Sequence, residues 1–354
     1  MGMTIAEKIL AKKSGRAKVS PGDLVTVEVD TVVVMDNNFM PSQWRDVLEV
    51  RDPERIVVAH DHRAPASTVA SASAHVTGRK FVEKFGIKRF HDVGAQQGIS
   101  HQLVADYGYA LPGSVLICGD SHTCSAGVFN CIARGVGTPD IVYGCVTGTA
   151  WFKVGATVRY ELTGRLPRAV TAKDAFLQIA GQYGDHATMN VEYGGSGIAS
   201  LSINARKTLT TMSAELSAEF ATFEADEALI EWVRARNPTP FEPVAPDPDA
   251  QYAAVREVDL STLQPLVAFP DSVVGDNPTW SRDGRFIYID APESKDPAIY
   301  RVRIADRKIE RIVSIKGILR APMGYWLGLT PDGAPLLTRL LDSSEIDAWD
   351  WSVR

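Results

Sequence analysis

Apolar positions fall in two kinds of short run along the first part of the chain. Residues 24–29 alternate, with Val25, Val27 and Val29 on one face, the period-two pattern of a half-buried strand. Residues 55–59 and 114–118 instead hold unbroken runs, Ile56-Val57-Val58 and Val115-Leu116-Ile117, which suit strands covered on both faces. Helical spacing appears over 81–85, 101–105 and 128–132, so strands and helices alternate and a mostly parallel sheet follows.

Helix starts are written into the sequence as well. Thr4-Ile5-Ala6-Glu7 and Thr171-Ala172-Lys173-Asp174 have the form of capping boxes, and Ala172, Ala175, Phe176, Ile179 and Ala180 mark one apolar helical face after the second. Gly194-Gly195-Ser196-Gly197 separates this helix from an expected strand over 198–203, and 212–220 and 227–233 read as helices. Glu224, Asp226 and Glu227 read as the solvated start of the last one, favoured by the helix dipole. The five prolines of 237–249 predict a long surface connection.

Beyond about residue 275 the character changes: all seven histidines and four cysteines lie before it, and four of seven tryptophans after. Two Asp-Gly turns in this tail, Asp283-Gly284 and Asp332-Gly333, are 49 residues apart and precede apolar runs, which suits repeated antiparallel β units. Trp349 and Trp351 alternate with polar residues as in an edge strand. The expected organisation is a 1–274 α/β region and a 275–354 β-rich tail.

Composition narrows the classes. At 45% hydrophobic and 23% charged residues the chain is ordinary globular material. A net charge of −6 without a basic block disfavours nucleic acid and anionic membrane surfaces. No stretch has the length and apolarity of a bilayer span or a signal sequence, which makes a cytoplasmic protein the expectation. Cys118, Cys124, Cys131 and Cys145 form no CxxC pair and read as buried small hydrophobes.

The candidate chemistry sits at strand ends. Ile56-Val57-Val58 runs into His60-Asp61-His62, and Val115-Leu116-Ile117-Cys118 into Gly119-Asp120-Ser121-His122. Open α/β sheets place ligand sites at the carboxyl ends of their strands. Carboxylate and imidazole pairs can move protons or hold a divalent metal, and His101 lies on an expected helix start nearby. Gly135-Val136-Gly137 lacks the third glycine of a dinucleotide fingerprint and reads as a helix entry.

Ala59-His60-Asp61-His62-Arg63-Ala64-Pro65, Gly98-Ile99-Ser100-His101-Gln102 and Gly119-Asp120-Ser121-His122-Thr123 resemble the aconitase and isopropylmalate dehydratase superfamily. Gly135-Val136-Gly137-Thr138-Pro139-Asp140, Thr147-Gly148-Thr149-Ala150-Trp151-Phe152, Ala172-Lys173-Asp174, Arg206-Lys207-Thr208-Leu209 and Met212-Ser213-Ala214-Glu215 follow in the expected order. The resemblance covers about 4–274 and is greatest to the large subunits of isopropylmalate dehydratase and homoaconitase. It implies aconitase-like α/β/α layers and reversible dehydration of a hydroxy di- or tricarboxylic acid, as in leucine biosynthesis, on a [4Fe-4S] cluster, with a swivelling small subunit as partner.

By the same resemblance, Asp61 with His62 delivers a proton to the leaving hydroxyl. His101, Asp120 and His122 complete the hydrogen-bonded shell, Ser121 supports it, and Glu215 faces the metal-bound water or hydroxide. The sequence departs from the pattern in three ways. Thr211 replaces the family's Asn four residues before Glu215, no counterpart of an aconitase Gln occurs within 35–40, and no cysteine follows Cys145, although thiolates hold such clusters. The tail resembles the Trp-Ser-x-Asp-Gly blades of TolB-like propellers.

The expected protein is therefore a hydro-lyase homologue with its cluster cysteines missing and its activity impaired or lost. A non-catalytic assembly protein that pairs with a small subunit is the alternative, and a mononuclear metal hydrolase on Asp61, His62, His101, Asp120 and His122 is a third.

Overall fold

The computed structural model describes residues 2–264, 269, 276–318 and 327–337. The chain divides into two compact units, Met1–Leu263 and Gln264–Arg354. The expected junction near residue 275 and the Trp349 and Trp351 strand lie outside the described residues.

The first unit opens with α1 (Ile5–Ser14), whose capping box forms as expected: Thr4 accepts from the Glu7 amide while the Glu7 side chain accepts from Thr4. Then come β1 (Leu24–Glu28), β2 (Thr31–Met35), β3 (Ile56–Ala59), α2 (Val69–Phe85), β4 (Arg89–His91), α3 (Ser100–Asp106), β5 (Val115–Cys118) and β6 (Ile132–Gly135). After these follow α4 (Thr138–Thr147), β7 (Thr149–Lys153), β8 (Ala156–Thr163), α5 (Ala172–Tyr183), β9 (Met189–Gly194), α6 (Ile203–Met212), β10 (Ala221–Phe223), α7 (Glu227–Arg234) and β11 (Ala254–Asp259).

Five of these strands form a fully parallel sheet in the order β4-β3-β2-β5-β6. Its unbroken apolar runs have a direct cause: successive residues feed opposite cores. Val33, Met35, Val57, Leu116 and Cys118 join one cluster, while Val32, Val34, Ile56, Val58 and Ile117 join the other. A second parallel sheet, β10-β9-β8-β11, packs Tyr160, Tyr193 and Phe223 into the first cluster. β1 and β7 make a separate antiparallel pair, and β1 alternates exposed and buried as its sequence predicts.

Several local expectations fail for identifiable reasons. Residues 128–132 are not a helix: Ser121–Phe129 forms 3-10 turns, Asn130 ends them at φ 57°, and Ile132 begins β6. Gly127 explains the tight course, because a Cβ there would stand 1.6 Å from the Ala221 carbonyl oxygen. The strand expected over 198–203 is instead β9, upstream; Gly195 at φ 95° breaks the extended chain and Ser202 caps α6. The helix expected over 212–220 is only a 3-10 turn, Ser213–Leu216, stopped by Ser217 at φ 58°.

The acidic start of α7 is not simply solvated. Asp226 caps the helix and pairs through both oxygens, at 2.7 and 2.5 Å, with Arg206, which is 1% exposed, and Glu224 pairs with Arg159. The 237–249 connection has neither helix nor strand, as expected.

In the second unit, β12 (Asp276–Trp280), β13 (Phe286–Ala291), β14 (Ala298–Arg303) and β15 (Ile309–Ser314) form an antiparallel meander, and β16 (Leu327–Leu329) pairs with β17 (Pro335–Leu337). Tyr288, Ile299, Ile315 and Leu327 make its small core. Both Asp-Gly turns are present, with Gly284 at φ 68° and Gly333 at φ 88°. Among the described residues these strands form two small sheets and no closed ring, so the expected propeller-like tail goes no further than a blade-like meander.

Candidate active site

The two Asp/His loops leave β3 and β5, which flank β2 in the parallel sheet, so both reach the same carboxyl-terminal edge. His62 stands between two carboxylates, with Nδ1 2.9 Å from Asp61 and Nε2 3.2 Å from Asp120. The other Asp120 oxygen takes His101 Nε2 at 2.7 Å and the His122 amide at 2.7 Å. Asp61 in turn accepts the Ser100 amide at 2.7 Å, which ties the start of α3 to the loop after β3.

A second branch runs outward. His122 Nε2 lies 3.0 Å from Glu215, and because a carboxylate only accepts, this nitrogen is the donor. Nδ1 is then free to accept the Ser121 hydroxyl at 3.2 Å. Asp61, His62, His101, Asp120, Ser121, His122 and Glu215 are thus all brought together. Thr211, four residues before Glu215, donates its hydroxyl to the Lys207 carbonyl at 2.6 Å. Lys207 Nζ donates to the His101 carbonyl at 3.1 Å, and burial lowers its pKa.

The electrostatics follow from this wiring. Asp120 and then Asp61 raise His62 to about 10 against the opposing effect of burial, so its imidazolium is the form present at neutral pH. Burial pushes the Asp61 carboxyl up, but the His62 and Ser100 hydrogen bonds outweigh it and hold it below its usual value. His101 and His62 hold Asp120 well below the carboxylate range.

One participant has no place in the sequence expectations. Asp36 follows β2, is fully buried, and accepts the amides of His62 at 3.2 Å and Arg63 at 2.6 Å and His75 Nε2 at 3.2 Å. Three neighbouring strands therefore each release an aspartate at the same edge. The signal was an Asp directly after the apolar run Val32-Val33-Val34-Met35, the pattern that marks the other two loops.

Gly135 sets the height of the Asp120 loop, since a Cβ there would lie 2.2 Å from the Asp120 carbonyl oxygen. Among the described residues, one trio, Asp36, Asp61 and His62, brings ligand atoms within 4.8 Å of one another. Both Asp36 oxygens already accept N–H donors, and the trio leaves out His101, Asp120 and His122, so the metal-hydrolase expectation gains no common ligand point.

The four thiols are buried, Cys118 against the Asp120 loop, where Thr123 and the Asp120 backbone hydrogen-bond it. All are at most 3% exposed, burial pushes each up to about 12, and Cys124 and Cys131 lie 3.1 Å from the carbonyls of Thr210 and Ala126. They behave as core residues. Among the described residues, no helix is long and apolar enough to cross a membrane.

The model of the aconitase family (aconitate hydratase) matches residues 24–279. The 3-isopropylmalate dehydratase large subunit of Mycolicibacterium smegmatis is 48% identical over 273 residues, 77% of this chain and 64% of that protein. The probable 3-isopropylmalate dehydratase large subunit of Methanothermobacter thermautotrophicus is 38% identical over 290 residues, 80% of this chain and 69% of that protein. The probable methanogen homoaconitase large subunit of the same organism is 36% identical, over 80% of this chain and 68% of its own length. The chain spans about two thirds of the length of these curated relatives.

Proposed function

The chain belongs to the aconitase family, and from that premise we propose that Met1–Leu263 carries the proton-handling half of a hydro-lyase site for a hydroxy di- or tricarboxylic acid. The observation that carries this reading is the continuous hydrogen-bonded path Asp61-His62-Asp120-His101 at the sheet edge. Hydroxide leaves poorly, so its departure needs a positioned acid. His62 is that acid. Both its nitrogens face carboxylates, and the longer contact, 3.2 Å to Asp120, is the one that yields to a substrate hydroxyl. Asp61 keeps the ring oriented, His101 and the His122 amide keep Asp120 ionised, and Glu215 with Ser121 orients His122.

The family implies a [4Fe-4S] cluster held by cysteine thiolates. The cysteines of this chain do not fit that role: their thiols are buried and raised to about 12, so they stay protonated where a cluster needs thiolates. Our reading is accordingly that the dehydratase activity of this chain is impaired or absent.

The charge of the site favours a second reading beside this one. Four carboxylates gather here, Asp61 and Asp120 on the His62 ring, Glu215 on His122 and Asp36 on the His62 amide, a poor receptor for an acid with two or three carboxylates. Cationic groups supplied by another subunit would correct the balance, so the alternative is a non-catalytic or assembly homologue that pairs with a swivelling small subunit.

Anaerobic reconstitution with iron and sulfide, read by visible absorbance and by hydration of an unsaturated di- or tricarboxylate, tests the main reading. Neither cluster nor turnover is expected, and a stable four-iron cluster with turnover overturns the claim of inactivity. Gel filtration with a small subunit tests the alternative, which fails if no complex forms at micromolar concentration.

A further inference from the structure

We propose that Asp36 is a positioning residue for the Asp61-His62 pair: its carboxylate holds the consecutive amides of His62 and Arg63 and thereby directs the His62 ring between Asp61 and Asp120. The proposal rests on reading His62 as the proton donor.

Its grounds are geometric. β2 is the central strand between the two that carry the site loops, and the chain leaving it keeps the ladder going, because the Asp36 amide donates to the Ala59 carbonyl at 3.0 Å. The side chain then meets the next turn, where one oxygen takes the His62 amide at 3.2 Å and the other the Arg63 amide at 2.6 Å. A carboxylate that accepts two successive peptide amides fixes the orientation of that peptide unit as well as its position. The His62 Cα–Cβ bond is thereby aimed.

Asp36 is itself braced from behind. His75 of α2 reaches the Arg63-bound oxygen at 3.2 Å and stacks on His60, ring centroids 4.5 Å apart and planes 8° from parallel. His60 contacts Asp92 at 2.9 Å, and Arg79 grips Asp92 at 2.6 and 2.9 Å. A chain of side chains thus runs from Arg79 of α2 to the peptide that carries His62.

An amide in place of this carboxylate cannot do the same. Asn can accept one peptide N–H, but its NH2 group then faces the other, so Asp36→Asn frees one side of the turn. Asp36→Glu keeps the charge and both acceptors on a side chain one methylene longer. A merely structural carboxylate would affect stability alone, whereas a positioning residue also changes the proton affinity of a ring it does not touch.

The test is NMR of the isotope-labelled full chain, following the His62 ring nitrogens through a pH titration and the His62 and Arg63 amide protons. In Asp36→Asn the His62 midpoint is expected to fall by about one unit, roughly tenfold in proton affinity, with one of the two amide protons losing its hydrogen-bonded shift; Asp36→Glu recovers part of the change. A folded Asp36→Asn chain with His62 unchanged overturns the proposal. If that variant does not fold, amide exchange in the unaltered chain decides: protection of His62 and Arg63 to the level of β3 supports the role, and exchange at exposed-loop rates refutes it. These readouts need no turnover. A stable four-iron cluster with turnover tells against the claim of inactivity alone, and an unmoved His62 tells against positioning alone.

Discussion

Replacing Asp120 by Asn removes the junction of the site, and the structure sets the size of the effect. Asp120 accepts three donors: His101 Nε2 and the His122 amide at 2.7 Å and His62 Nε2 at 3.2 Å. Asn offers one acceptor atom: standing in for the oxygen that takes His101 and the His122 amide it keeps those two contacts without the charge, and its NH2 group meets His62 Nε2 donor against donor. Hydrogen bonds to a charged group contribute about 1.5–3 kcal/mol each; Asp120 is 19% and His62 33% exposed, and discounting for solvent leaves a destabilisation of roughly 2–4 kcal/mol.

The loss depends on pH, with a definite sign. His62 rises from 6.5 to about 10 on folding, so its contribution is fully present below 6.5 and disappears as pH climbs through about 10. Asp120 is depressed from 3.8, so its contribution is present above 3.8 and lost as pH falls further. The difference between the parent chain and Asp120→Asn is therefore greatest between about pH 4 and 6.5 and shrinks towards pH 10. Urea unfolding of both chains at pH 5.5, 8 and 10 (roughly the two ends and middle of that window) measures it. A difference that stays constant across the three, or is below about 0.5 kcal/mol at the lowest, the range of an ordinary surface substitution, refutes the wiring.

Two further outcomes follow from the same geometry. Gly135→Ala forces a Cβ to within 2.2 Å of the Asp120 carbonyl oxygen, so it should cost about 1–3 kcal/mol and displace the His62 titration; a thermal midpoint and a His62 titration both equal to those of the parent would contradict this. The four thiols, raised to about 12 and at most 3% exposed, should resist iodoacetamide at pH 8 in the native chain and react at least about a hundredfold faster in urea, as mass spectrometry of the alkylated peptides would record.

The strands that carry Asp61 and Asp120 were legible because their apolar runs are short, unbroken and end in polar turns. β2 was not, although it lies between them. Its run Thr31-Val32-Val33-Val34-Met35 follows β1 after only two residues, and a period-two reading of 24–29 absorbs the boundary. Missing the strand meant missing Asp36. The errors over 128–132 and 198–203 share another cause: both segments are apolar enough for regular structure but are governed by close backbone approaches, at Gly127 to Ala221 and at Gly195 to Leu162. Such contacts join residues far apart in sequence, and no local pattern announces them.

Burial also decides between the two meanings of a cysteine beside a functional loop. Cys118 is the last residue of β5, two positions before Asp120, and position alone would suit either a ligand or a core residue. In a strand, side chains alternate between faces, and Cys118 falls on the face of Leu116, among Met35, Val57 and Ala133 in the interior cluster. Its thiol nevertheless lies against the Asp120 loop, hydrogen-bonded by Thr123 and the Asp120 backbone, and burial outweighs those bonds and pushes it up to about 12, so at neutral pH it is a thiol rather than the thiolate a cluster needs.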